Sequence, residues 1–182
     1  SGLREELRLL VMSATLDVER VAGLLETDAV VESAGRAYPV EIRHADRPGG
    51  ERIEETMVRT IRRLHAEEDG SILAFLPGQG EILRTAEMLG RSLGDATSVF
   101  PLYGGLSGEE QDRAIRPAAQ GERKVVLATP VAESSITIDG VRIVVDSGLV
   151  RQPVLEPDTG ITRLETVRAS RASADQRAGR AG

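Results

Sequence analysis

The sequence predicts an α/β fold: a parallel sheet flanked by helices, followed by an appended β-hairpin and a last polar helix. Three observations carry that expectation. Short apolar runs such as residues 71–76 (SILAFL) and 124–128 (KVVLA) show little polar alternation, which marks strands buried on both faces. Stretches of helical period separate these runs between residues 53 and 146, the order expected of βαβ units. After Gly148 the pattern changes: residues 150–155 and 161–167 flank Glu156-Pro157-Asp158-Thr159-Gly160, which reads as a hairpin with a longer turn.

The elements follow in order. Residues 7–12 (LRLLVM) read as a buried strand, 17–25 as a helix with Val18, Val21, Ala22 and Leu25 on one face, and 29–31 as a second short strand. Residues 35–39 form a connector, 40–42 an extended piece, and 46–50 a loop. Residues 53–67 make a helix whose stripe is Ile53, Met57, Ile61 and Leu64, closed by Gly70. Strand 71–76 ends at Pro77-Gly78, and helix 81–93 turns Ile82, Ala86, Leu89 and Leu93 inward. Strand 98–102 precedes Ser107-Gly108-Glu109-Glu110, which fits a Ser-x-x-Glu capping box and opens a helix. Strands 124–128 and 143–146 follow, and residues 170–181 read as the final helix.

Composition sets the bounds. Apolar residues make up 40 % of the 182 and aromatics only 2 %, so the core is built from Leu, Ile, Val and Ala. With no cysteine, disulfides and thiolate metal sites are excluded, and two histidines, His44 and His65, make a poor metal set. No run approaches the length of a membrane span, so no membrane partner is expected and a cytoplasmic setting fits. The net charge is −6, but residues 1–100 hold 12 arginines against 18 acids while residues 101–182 are balanced at 11 and 11. Five arginines against two acids from Arg163 onward give that end a basic cast, although composition alone favours a solvated helix face. Lys124 is the only lysine and lies in Gly-Glu-Arg-Lys-Val, not in the Gly-Lys-Ser/Thr of a phosphate-binding P-loop.

In a parallel sheet, binding loops lie at the carboxyl ends of strands. Here those ends are Pro77-Gly78, Leu102-Tyr103-Gly104-Gly105, Thr129-Pro130 and Asp146-Ser147-Gly148. Together they offer one binding edge, or four plain turns.

Four segments in order resemble the DEAH-box RNA helicases of superfamily 2. Ser13-Ala14-Thr15 is similar to motif III, and residues 72–79 (ILAFLPGQ) to motif IV. Residues 128–140 (ATPVAESSITIDG) are similar to motif V, and residues 176–182 (QRAGRAG) to motif VI, Gln-Arg-x-Gly-Arg-x-Gly-Arg. Residues 101–107 (PLYGGLS) resemble the loop before motif V, and the stretch from Phe75 to Gly121 resembles the bacterial HrpB-like branch. The resemblance implies a RecA-like fold of the P-loop NTPase type without its own P-loop. Residues 1–34 would end a first RecA-like domain, 35–45 connect, and 46–182 form the second, with the Walker A lysine and the Asp-Glu-Ala-His box upstream.

The resemblance also implies roles. ATP with Mg2+ would lie between the two domains in the full-length enzyme, this chain binding neither tightly alone. Gln176 matches the glutamine that orients the attacking water, and Arg180 the arginine finger; the motif's final arginine would fall at position 183. Arg177 stands beside them either as a further catalytic cation or as a structural salt bridge. Gly179 lies within the same nucleotide-facing motif. Asp139 matches a ribose acceptor, or is simply half of an Asp-Gly turn. Leu149 stands where relatives stack a phenylalanine on the base, which leucine cannot do. Thr129, Ser134, Gly104 and Gly105 match positions that touch the RNA backbone, and Pro130 replaces the family's usual asparagine. Ser13 and Thr15 match the hydroxyls that couple ATP state to strand movement. The hairpin resembles one that separates or grips RNA strands, or it is a packing hairpin. The partners implied are RNA and the first RecA-like domain of the same polypeptide. A non-catalytic nucleic-acid-binding module fits less well, because a binder needs no water-orienting glutamine; a DNA translocase of the same superfamily is the third reading.

Overall fold

The computed structural model describes residues 10–12, 18–27, 29–31, 39–90, 92–133, 138–156 and 160–181. They belong to two compact units, Ser1–Arg36 and Ala37–Gly182. In the first, α1 (Val18–Leu25) half-buries Val21, Ala22 and Leu25, and none of its residues is fully buried. Residues 10–12 and 29–31 are not strands, contrary to the sequence reading, and Leu10, Met12 and Val31 are largely exposed. An apolar run becomes a strand only where a neighbour supplies ladder bonds, and these residues have none in the described structure.

In the second unit, α2 (Ile53–Glu67), β1 (Ser71–Phe75), α3 (Gln79–Leu89), β2 (Thr97–Leu102), α4 (Gly108–Ile115) and β3 (Arg123–Ala128) follow in order. β4 (Val141–Asp146), the hairpin β5 (Leu149–Glu156) and β6 (Ile161–Arg168), and α5 (Arg171–Ala178) complete it. The central sheet runs β2-β3-β1-β4, every pairing parallel, and β5-β6 is a separate antiparallel ribbon. This is the α/β architecture that the apolar runs predict.

Strand alternation divides the core between two faces. Ile72, Ala74, Leu76, Val125 and Leu127 meet Met57, Val58 and Ile61 of α2 and Ile82 and Leu89 of α3. Leu73, Phe75, Val126 and Ala128 meet Ala114 of α4 on the other face. Each large apolar side chain fully buried this way contributes roughly 1.5–3 kcal/mol. α3 begins at Gln79 and stops at Leu89, four residues earlier than its apolar stripe suggests. Gly90, at φ 45°, caps it with its N–H on the Ala86 carbonyl, and Leu93 is buried beyond the helix end.

Two caps fix α4. At its start the capping box forms as the sequence predicts: Glu110 N–H donates to Ser107 Oγ at 3.4 Å, and Ser107 N–H donates to Glu110 Oε2 at 2.9 Å. At its end Lys124 Nζ reaches over from β3 and donates to the carbonyls of Ala114 (2.9 Å), Ile115 (3.2 Å) and Arg116. A cation at a helix C-terminus satisfies orphan carbonyls and opposes the helix dipole. Burial lowers the Lys124 pKa below its ordinary value, and the negative charge of Asp139 works against that shift.

Candidate functional site

α5 is polar all round, so apolar burial cannot dock it. Ser170 caps it, accepting from the Ser173 N–H at 3.1 Å. Its one fully buried side chain is Arg177. The Arg177 Nε donates to Glu133 Oε1, and Nη1 donates to Asp146 Oδ1 at 2.6 Å and to the Leu149 carbonyl at 3.4 Å. The guanidinium lies 5.1 Å from the centroid of the Phe75 ring, within cation–π range. Two carboxylates and one aromatic face therefore hold the helix against the carboxyl edge of the sheet.

Glu133 is the hub of this arrangement. Its carboxylate also accepts from Ser173 Oγ, and its carbonyl accepts from Arg180 Nε at 2.8 Å and from Arg180 Nη2. The Arg180 guanidinium plane is fixed by the loop that follows β3. Helical turns continue past Ala178, with Arg180 N–H on the Arg177 carbonyl at 3.0 Å. Gln176 and Arg180, four residues apart, therefore share a side of the helix adjacent to the buried Arg177. Both are half-buried. Gly179 closes α5 at φ −64°, with its N–H on the Asp175 carbonyl.

Thr129 follows β3, and its N–H donates to the Leu102 carbonyl at 3.1 Å. That bond draws the Tyr103-Gly104-Gly105 turn beside it. Gly104 has open space where a Cβ would stand, and at Gly105 a Cβ would meet the Tyr103 ring at 3.4 Å. Pro130 begins a single 3-10 turn, Pro130–Ala132, at the position where a missing N–H costs nothing. Leu149 opens β5, half-buried, with its carbonyl on Arg177.

Thr129, Gly104, Gly105, Leu149, Gln176, Arg177, Gly179 and Arg180 thus gather at the carboxyl edge. Asp139 does not join them. It is exposed in the turn before β4, where the Gly140 carbonyl accepts from Ser71 N–H at the amino end of the sheet. A five-residue strand separates the two ends, about 16 Å at ~3.3 Å per residue. Ser13, Thr15 and Ser134 lie outside the described residues. Sequence reasoning missed Glu133 and Asp146 as the acids that pin α5. Both stand in quoted segments, but nothing local says which arginine they face. The gathered donor set is cationic and amide-rich, which suits phosphate oxygens. Among the described residues no group of three or more His, Asp or Glu stands close enough to hold a metal.

Residues 53–182 match the helicase conserved C-terminal domain. The chain belongs to that family. It is similar to the ATP-dependent RNA helicase HrpB of Escherichia coli, 49 % identical over 181 residues, which span all of this chain and 22 % of that protein. It is also similar to the pre-mRNA-splicing factor ATP-dependent RNA helicase prp22 of Schizosaccharomyces pombe, 41 % identical over 98 % of this chain and 16 % of that protein. The crystal structure of the E. coli DEAH/RHA helicase HrpB superposes with a TM-score of 0.92 over all of this chain and 23 % of its own. The chain therefore spans about a fifth of the length of these relatives. As a helicase C-terminal domain, it carries the parallel sheet, the hairpin and α5 within the matched span.

Proposed function

We propose that this chain serves as the second RecA-like motor domain of an ATP-dependent RNA helicase, joined through residues 35–45 to the end of the first. The observation that carries the reading is the placement of Gln176 and Arg180. They share one side of a helix that Arg177 locks through Glu133 and Asp146. Phosphoryl transfer to water depends on positioning and on neutralising charge at the γ-phosphate. Arg180 supplies a permanent cation with a planar set of donors, already oriented by the Glu133 carbonyl. Gln176 supplies an amide that can accept from a water and hold it in line. Arg177, wholly buried, acts as a positioning residue for both. Bound ATP supplies the phosphoryl group and Mg2+ neutralises its oxygens, and both are held mainly by the first domain.

Thr129, Ser134, Gly104 and Gly105 form one wall of an RNA groove, where backbone N–H groups and small hydroxyls meet phosphate and sugar. The exposed carboxylate of Asp139 is the acceptor for a ribose hydroxyl. Leu149, unable to stack, leaves the base weakly selected. Ser13 and Thr15 couple nucleotide state to RNA movement. The enzyme acts on RNA as its relatives are named for doing, and this chain alone is inert as an ATPase.

The test is Arg180→Ala in the full-length protein. RNA-stimulated ATP hydrolysis is lost by about 10³-fold, the effect of an arginine finger, while nucleotide binding is retained. Turnover at the wild-type rate in that variant refutes the reading. Equal stimulation by single-stranded DNA and RNA would shift the substrate class to DNA.

A further inference from the structure

The hairpin β5-β6 is a two-stranded ribbon, which is marginal without support. Apolar packing does not provide that support along its outer half, because Leu155, Ile161 and Leu164 are more than half exposed. Polar contacts at its base hold it instead. One is Arg177 on the Leu149 carbonyl, and another is the Ala169 N–H on the Gly148 carbonyl at 2.8 Å.

A third contact reaches a different part of the domain. Arg151 Nη2 donates to Glu81 Oε1 at 3.0 Å, joining β5 to the first turn of α3. The Glu81 side chain is only 12 % exposed and accepts from Arg84 at 3.1 Å, and Arg84 pairs in turn with Glu54 of α2, which is 5 % exposed. Alternating charges thus run from α2 through α3 to the hairpin. Gly78 makes room for the contact. A Cβ built there would lie 2.7 Å from Arg151 Nη1 and 2.9 Å from its Cζ. The Gly78 backbone is extended at φ −165°, which any residue adopts, and the Arg151 side-chain tip occupies the space beside it.

We infer that Arg151, seated on Gly78 and Glu81, is a positioning residue that fixes the hairpin to α3 so that movement of the motor domain is delivered to the RNA strand. The inference rests on the helicase reading above. Its consequence is a separation of two activities: the latch joins β5 to α3 and not to α5, so releasing it spares hydrolysis and weakens unwinding.

The experiment uses the full-length enzyme with Glu81→Ala, Arg151→Ala and the double variant. RNA-stimulated hydrolysis, duplex unwinding and amide hydrogen exchange of β5 and β6 are followed together. Each single variant is expected to hydrolyse ATP as the wild type does and to unwind about ten-fold more slowly, the scale of one charge-assisted hydrogen bond. Each also exchanges hairpin amides faster, and the double variant loses no more than the worse of the two. Hydrolysis that declines in step with unwinding overturns the proposal, as does unaltered hairpin exchange or a double variant in which the two losses add. A wild-type enzyme without RNA-stimulated hydrolysis would refute the helicase reading instead, and the exchange measurement would still judge the latch.

Discussion

Replacing Arg177 with alanine tests how α5 is held. Arg177 is 0 % exposed, and the carboxylates it pairs with, on Glu133 and Asp146, are 14 % and 22 % exposed. Removing the cation leaves two carboxylates facing a vacated interior and strips one cation–π contact from Phe75. Breaking a buried pair from one side costs about 3–5 kcal/mol, against a total stability of roughly 5–15 kcal/mol for a domain. Ser173 and Arg180 still bond Glu133 in the variant, so α5 keeps part of its hold and the lower end of that range is expected. Thermal denaturation should show a Tm lowered by roughly 6–12 °C, at about 2–4 °C per kcal/mol for a chain of this size. Hydrogen exchange should rise in α5 while β1 and β3 keep their protection. Arg177→Lys keeps the charge but not the fork that spans both acids, and is expected to recover less than half of the loss. A Tm within 2 °C of wild type (~0.5–1 kcal/mol by the same scale) would refute the account of α5 docking.

Three further outcomes follow from the same structure. Ser107→Ala removes the acceptor for the Glu110 N–H and should cost about 1 kcal/mol in urea denaturation, with Ser107→Gly costing only a few tenths. Burial first, and the Arg123 cation second, hold the His65 pKa below 6.5. The unfolded chain therefore takes up the proton first, so His65 favours the folded state fully above that value and loses part of this as pH falls through it. His65→Gln, which can keep a hydrogen bond to Thr97 Oγ1, should flatten the change in urea midpoint between about pH 7.5 and about pH 5.5. Asp139→Asn in the full-length enzyme should raise the KM for ATP with kcat little changed, as loss of uniform binding does; an unchanged KM would remove Asp139 from the nucleotide site.

Much of this architecture was legible in local chemistry. Residues 53–67 are helical as read, because one apolar stripe recurs at helical spacing over four turns. The runs at β1 and β3 are central strands because residues 72–75 and 125–128 are wholly apolar, and Ser107 with Glu110 closes the box that their spacing announced. The failures have a common cause. Residues 10–12 and 29–31 are as apolar as true strands, but a strand is a property of a pair and not of a segment. In the same way, Gln176, Arg177 and Arg180 were legible as a motif, whereas the acids that orient them stand 31 and 44 residues away from Arg177 in the chain. Lys124 read as an ordinary strand residue, and its role as the cap of α4 depends on where β3 passes that helix. Spacing reveals which side chains share a face; only the fold decides what faces them.

The cap that Lys124 places on α4 has a practical consequence. It is the one side-chain amine in the chain, and it is 2 % exposed. An amine-reactive acylating reagent can modify it only when α4 and β3 part, so the rate of that single mass increment measures how often this part of the domain opens. Repeating the reaction in the full-length enzyme with and without nucleotide or RNA, and reading the peptide that carries Lys124, turns the residue into a built-in reporter of whether ligands tighten this layer.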